Sequence, residues 1–260
     1  MNNAVIHIGY PRTATSWLQK VFFPKVKNYE FVHLGNIIFG NETLKSYPKN
    51  LIGSSEEIIN IRLRHKKYKN PCDIKQNINF YLKYNKVVFF VFVRRQIDII
   101  SSAYSYYINT QKNVSFEEYI KWSKCCTDEN KKWKYYSHLK EFENCFNTNL
   151  KVFVYEQFKE EPRKFIETLS KELGFEVDFD KIKYHKKINE SKGHITNKAI
   201  NALKFFFKKI ISPENYFLPN IGNKFVMPNE YQEYVFSYFA EENQLLDKKY
   251  NLSLKKYGYY

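Results

Sequence analysis

Three short runs of apolar, β-branched and aromatic residues limit what this chain can fold into. They are Ala4–Gly9 (AVIHIG), Val87–Val93 (VVFFVFV) and Leu150–Tyr155 (LKVFVY). Each is nearly continuous rather than alternating, the pattern of a parallel strand covered on both faces. A weaker candidate, Asn50–Gly53, precedes SSEE. Helical patterns lie between the runs: Ser16–Phe23, Glu56–Lys67, Ile74–Lys83, Ile97–Asn109, Phe116–Lys124 and Lys131–Asn144. Pro162 opens another helix through Leu173, and Gly174 is its natural stop. Strands alternating with helices predict βαβ units, hence an α/β fold with an open parallel β-sheet flanked by helices.

Beyond about residue 175 the pattern changes. Helices are expected at Asn197–Ile211 and Asn229–Lys249, with a loop punctuated by Pro213, Pro219 and Pro228 between them. No internal repeat or linker composition interrupts the chain. One domain spanning 1–260 is expected, with a helical C-terminal part from about 195.

Bulk composition bears on partners. The chain has 42 Lys and Arg against 27 Asp and Glu, a net charge of +15, which favours anionic partners. Part of this surplus follows from a composition rich in Lys, Asn, Ile, Tyr and Phe together. The four cysteines, Cys72, Cys125, Cys126 and Cys145, form no CxxC pair and have no His at metal-ligand spacing. Neither a zinc site nor a disulfide framework is expected. The N-terminal MNNAVIHIGYPR lacks the pattern of a secretory leader, and Val87–Val93 is too short to span a bilayer. A soluble, cytoplasmic protein is expected.

The first strand runs into GYPRTATS and then directly into a helix. In open α/β sheets ligands bind beyond the C-terminal strand ends. A helix opening there offers unpaired N–H groups and a positive dipole end to a phosphate or sulfate. Thr13, Thr15 and Ser16 add hydroxyls, and Arg12 adds a charged multi-donor group. Compared with the triphosphate loop GxxxxGK[ST], Gly9 and Ser16 match the ends. Ala14 stands at the inner Gly, Thr15 at the Lys, and the basic residue has moved to Arg12. A loop without that Lys disfavours a triphosphate kinase and fits a shorter anion, such as a 5′-phosphate carrying a transferable group.

The string IGYPRTATSWLQ resembles the 5′-phosphosulfate loop of sulfotransferases that use 3′-phosphoadenosine 5′-phosphosulfate (PAPS). The family commonly has Lys or Arg at the place of Arg12, then hydroxyl residues, then Trp-Leu. The segment VFVRRQIDIISSAYSYY resembles its 3′-phosphate motif: Arg94 ends a strand and Ser102 follows eight residues later. Arg95 and Ser101 are the neighbouring alternatives. Three weaker likenesses are VYEQFKEEPRKFIETL, INESKGH and the tail ENQLLDKKYNLSLKKYGYY.

The resemblance implies a P-loop NTPase-like three-layer fold. It implies PAPS as co-substrate, PAP as product and no metal. By position, the loop residues Arg12, Thr13, Ala14, Thr15, Ser16 and Trp17 would bind the 5′ end. Arg94, Ser102, Lys192 and Gly193 would bind the 3′-phosphate. Ala14 departs from the usual Gly, and would be strained if the loop needs positive φ there. Family members use a Glu or a His as base. Glu56, after LIGSS, and His33, in EFVHLG, are the two candidates, with Glu56 favoured. Glu57 could share the role of Glu56, and His65 reads as part of a solvated basic face.

The implied reaction is sulfuryl transfer to a hydroxyl or amine of an acceptor, with a carbohydrate or glycolipid expected. The basic surface suits an anionic glycan and is compatible with peripheral membrane contact. Two alternatives stand beside this: a nucleotide kinase of related fold, and a basic nucleic-acid-binding module using stretches such as Arg62–Lys69.

Overall fold

The structure, a computed structural model, describes residues 2–38, 47–56, 58–59, 71–75, 78–110, 114–128, 133–186, 188 and 225–260. Lys192, Gly193, Glu57, His65, the stretch Arg62–Lys69 and the helix expected at Asn197–Ile211 lie outside these residues.

Five parallel strands form one sheet: β1 (Asn3–His7), β2 (Glu30–His33), β3 (Asn50–Ser54), β4 (Lys86–Val93) and β5 (Leu150–Val154). Their spatial order is β2-β3-β1-β4-β5. The chain leaves β1 toward β2 and β3 on one side, then crosses to β4 and β5 on the other. The order therefore reverses beside β1, and the C-terminal ends of β1 and β4 are where open α/β sheets form their ligand crevice. Register places His7 opposite Ser54 on one side and opposite Phe90 on the other.

The continuous apolar runs are explained by cover on both faces. From β4, Phe89, Val91 and Val93 join Ile6 and Ile8 in one core, with Phe142 and Phe146 packed over them. The alternate residues Phe90 and Phe92 join Val5, Ile52, Phe22 and Phe153 in a second core. Period-2 side-chain direction splits one run between two layers. The covering helices are α4 (Gln96–Thr110), α6 (Tyr135–Phe146), α8 (Pro162–Leu173) and the long α9 (Asn229–Tyr250), with shorter α1 (Thr15–Trp17), α2 (Gly35–Ile38), α3 (Pro71–Lys75), α5 (Phe116–Ser123) and α7 (Tyr155–Glu160). Helix α8 follows its sequence signals: Pro162 starts it, and Gly174 ends it at φ 72°.

Several boundaries differ from the sequence reading. β2 was not anticipated. It is an edge strand, short and half-exposed, so EFVH carries no continuous apolar run. The helix expected at Ser16–Phe23 is only three residues of α-helix. It then widens into a π turn at Leu18–Phe22 and tightens at Phe23–Lys25, where Pro24 cannot donate. The stretch Ile74–Lys83 divides into α3 and a 3-10 turn at Asn79–Lys83. Tyr155 belongs to α7 rather than to the strand. No helix among the described residues is long and apolar enough to cross a membrane.

The cysteine expectation is corrected. Cys72 on α3 and Cys145 on α6 form a disulfide across 73 residues, with Cα atoms 5.0 Å apart. Lys75 Nζ also donates to the Cys145 carbonyl at 2.9 Å. Spacing alone gave no sign of this because the two helices meet only through the fold. Cys125 and Cys126 remain as buried thiols.

Closing a loop of this length restricts the unfolded chain and typically contributes ~2–4 kcal/mol. Adding a reductant should lower the urea midpoint of the wild-type protein by a corresponding amount. The doubly substituted Cys72→Ser, Cys145→Ser protein should ignore the reductant. Identical reductant-independent midpoints would show that the bond makes no contribution.

Candidate functional site

The turn after β1 is built from residues that bend the backbone sharply. Arg12 and Ala14 both adopt left-handed conformations, at φ 68° and 64°, and Thr13 between them does not. Such alternation turns successive N–H groups toward one concave side, a shape that binds anions. Ala14 caps the following helix: the N–H groups of Trp17 and Leu18 donate to its carbonyl at 2.9 and 3.0 Å. A non-glycine residue in this region costs ~1–2 kcal/mol. The strain foreseen at Ala14 is therefore present, and it is shared with Arg12.

Packing from both layers holds the turn in place. Thr13 Oγ1 donates to the Tyr10 carbonyl at 2.5 Å, and Thr15 Oγ1 makes a longer contact to the same oxygen at 3.4 Å. Both threonines are buried, so their hydroxyls stabilise the turn from within. Ser16 is half-buried. Tyr10 is buried against Tyr135 and meets His138 Nδ1 through its hydroxyl at 3.1 Å. The Trp17 ring lies in the aromatic core between Phe22 and Phe158. It supports the loop, while its backbone belongs to α1.

Arg12 and Arg94 meet at the crevice. Arg94 Nη1 donates to the Arg12 carbonyl at 2.9 Å, and Arg12 Nε donates to Ser102 Oγ on α4, also at 2.9 Å. The Arg94 guanidinium lies over the Tyr155 ring at 4.8 Å, and that of Arg12 near the Tyr106 ring at 5.4 Å. Burial lowers the Arg12 pKa from its ordinary value, and the charge of Arg94 lowers it further, while Glu56, Tyr106 and Tyr155 oppose the shift. Arginine stays protonated regardless, so the crevice concentrates positive charge. Arg94 Nε is buried and makes no hydrogen bond. Buried donors are nearly always paired, and this one is among a few exceptions in the described residues.

The neighbouring alternatives are engaged elsewhere. Arg95 Nε pairs with Asp98 at 2.8 Å, and Ser101 Oγ donates back to the Ile97 carbonyl at 2.7 Å. Glu56 lies two residues past β3, within electrostatic reach of Arg12. His33 stands apart on the edge strand, exposed, with Gly35 N–H approaching its Nδ1 at 3.4 Å. The structure thus gathers Arg12, Arg94, Ser102 and Glu56, and leaves His33 one strand further out.

His7, directly under the loop, is a polar residue that the sequence reading passed over. Its ring is fully buried beneath the loop, among Phe23, Phe90 and Phe92. Its Nδ1 meets Ser54 Oγ at 2.9 Å, and Gln19 Nε2 donates to that same oxygen at 3.0 Å. Nε2 has no partner. The ring occupies the space a side chain at position 9 would need: a Cβ on Gly9 would sit 2.4 Å from His7 Cε1. One polar residue inside an apolar strand was the available signal. Tyr106, four residues after Ser102 and so on the same helical face, was another.

No family profile and no curated protein matches the sequence. The fold does have solved counterparts. A crystal structure of a sulfotransferase from Alicyclobacillus acidocaldarius is similar at a TM-score of 0.60 and 12% identity, covering 98% of this chain and 98% of that one. The chain has a sulfotransferase fold. The mouse sulfotransferase SULT7A1 complexed with PAP is similar at a TM-score of 0.48 and 14% identity, over 96% of this chain and 89% of that one. In the present sulfotransferase fold, no group of three or more His, Cys, Asp or Glu among the described residues is arranged to hold a metal.

Burial lowers the His7 pKa from 6.5 to about 3. The unfolded chain therefore takes up a proton at His7 below pH 6.5, and the folded protein does so only near 3. Stability from this group is fully present above pH 6.5 and falls as pH drops toward 3, by ~1.4 kcal/mol per unit. Between pH 6.5 and 4, wild type should lose on the order of 3 kcal/mol more than His7→Phe, by urea unfolding at each pH. Parallel pH profiles for the two proteins would refute this.

Proposed function

We propose that this chain transfers a sulfuryl group from PAPS to a hydroxyl or amine of an acceptor, with a carbohydrate or glycolipid as the acceptor class. The observation carrying this reading is the pairing of Arg12 and Arg94 at adjacent strand ends, with a buried, unpartnered donor on Arg94. Two separate anionic groups on one ligand match two guanidiniums beyond the ends of two strands better than a single phosphate chain does.

The residues present fit the nucleotide. Arg12 and the N–H groups of the left-handed turn would hold the 5′-phosphosulfate. Arg94 and Ser102 would hold the 3′-phosphate, with Lys192 and Gly193 joining them as the sequence resemblance implies. When bound, PAPS supplies an activated sulfuryl group whose bridging oxygen leaves with the phosphate. Arg12 would then stabilise the charge that grows on that oxygen. Glu56 would accept the acceptor proton, a reading supported by its position two residues past β3 and within electrostatic reach of Arg12. Positioning and charge stabilisation carry most of such a reaction.

The triphosphate kinase reading is weakened further by the structure: Thr15, at the Lys position of the triphosphate loop, is buried in the turn. The nucleic-acid reading is weakened because the aromatic residues of the strands fill two cores. We keep the chain as one functional domain over 1–260. A cytoplasmic location carries a corollary, since cellular thiols there would hold Cys72 and Cys145 reduced.

Calorimetry with PAP, using ATP·Mg²⁺ as competitor, tests the nucleotide site. A charged hydrogen bond to phosphate contributes about 1.5–3 kcal/mol, so Arg94→Ala should weaken PAP roughly 10- to 150-fold. Absence of PAP binding, or binding no tighter than ATP and indifferent to Arg94, would overturn the proposal.

Turnover against a panel of glycan acceptors tests the base. Removing a general base costs roughly 10²- to 10⁴-fold, so Glu56→Gln should lose rate on that scale without weakening PAP binding. His33→Gln should keep wild-type turnover. The reverse pattern would assign the base to His33.

A further inference from the structure

The peptide group joining Arg94 to Arg95 is pinned at both of its polar atoms by side chains from distant elements. The Arg94 carbonyl accepts from the Tyr135 hydroxyl at 2.7 Å. The Arg95 N–H donates to Glu156 Oε1 at 3.0 Å. A peptide group is planar, so fixing its C=O and its N–H fixes the plane. That plane sets the direction in which the Arg94 side chain leaves the end of β4.

Glu156 is held in its turn. Its second oxygen accepts from the Tyr259 hydroxyl at 2.8 Å. The Tyr259 carbonyl accepts from Asn243 Nδ2 on α9 at 2.9 Å. Asn243 and Gln96 exchange a reciprocal pair of hydrogen bonds at 2.8 and 3.0 Å, and Gln96 also donates to the Trp133 carbonyl at 3.1 Å. Gln96, Asn243 and Tyr259 are all buried. The circuit closes on the residue after the pinned peptide. The tail approaches tightly: Gly258 is left-handed at φ 69°, and a Cβ there would lie 3.3 Å from Arg95 Nη1. Tyr155, next to Glu156 on α7, presents its ring to the Arg94 guanidinium at 4.8 Å.

We infer that Tyr259, acting through Glu156, is a positioning residue for Arg94, so that the C-terminal segment completes the phosphate site. This rests on the sulfotransferase reading above, in which Arg94 meets the 3′-phosphate. Tyr259 touches no ligand in this scheme. It holds the carboxylate that holds the peptide that aims the guanidinium. Loss of the hydroxyl would free Glu156 Oε2, and the carboxylate could then turn away from the Arg95 N–H.

The test is PAP affinity by calorimetry on the full chain, paired with thermal midpoints. Tyr259→Phe keeps the buried ring and removes only the hydroxyl. It should weaken PAP about 3- to 10-fold, the range expected for one hydrogen bond. In an Arg94→Ala background the same change should have no effect on PAP, because its route to the ligand is gone. Tyr260→Phe is the control. It removes a hydrogen bond of similar length, from the Tyr260 hydroxyl to Asp247 at 2.7 Å, on the same tail but away from the pinned peptide. It should lower the thermal midpoint and leave PAP affinity unchanged. Glu156→Gln provides a second variant should Tyr259→Phe not fold, and it should weaken PAP in the same Arg94-dependent way.

Equal PAP affinity in wild type and Tyr259→Phe, beside a clear loss in Arg94→Ala, would overturn this inference and leave the sulfotransferase reading standing. So would a Tyr259→Phe effect that persists without Arg94, or one matched by Tyr260→Phe. Failure of the wild type to bind PAP would instead remove the reading on which the inference rests.

Discussion

Arg12 and Arg94 are like charges, and parallel pairing of β1 with β4 brings them to neighbouring strand ends. Their repulsion must be offset locally, and most of the surrounding chemistry does so. Arg94 turns one donor onto the Arg12 carbonyl, the Ser102 hydroxyl accepts a hydrogen bond from Arg12 Nε, and two tyrosine rings offer their faces. Glu56 supplies the opposing charge. Because the crevice is half-buried, the field there is screened less than at an open surface. An anion that arrived would relieve the repulsion.

The sheet itself was readable because its physics is local. A run such as VVFFVFV must be covered on both faces, and the alternation of its residues between two cores follows from strand geometry alone. The turn after β1 was legible for a similar reason, since Gly, Pro, a basic residue and hydroxyls crowd into a few positions. Its conformation went beyond the letters: Arg12, with no sequence mark of it, shares the left-handed geometry anticipated for Ala14.

What stayed hidden depends on contacts between distant residues. Cys72 finds Cys145, and Glu156 finds Tyr259, only after the layers have assembled. β2 stayed hidden because an edge strand with one poorly covered face needs no strong apolar signature. The threonines show a subtler gap. Residue type placed hydroxyls beside an anion site, yet burial turned Thr13 and Thr15 inward to the Tyr10 carbonyl. Which way a side chain faces in a tight turn follows from φ and ψ, and those are set by neighbours the sequence does not order in space.

The contact between His7 and Gly9 ties two positions together over evolutionary time. With the imidazole in place, any side chain at position 9 would collide with it. Glycine there is thus a condition imposed from below by the strand, beyond what the turn demands. A side chain at position 9 would fit only beside something smaller than His at position 7. The two sites should therefore drift as a pair, so that the identity of one constrains which mutations at the other are survivable. Any transplant of this loop onto a relative would have to carry its underlying strand residue with it.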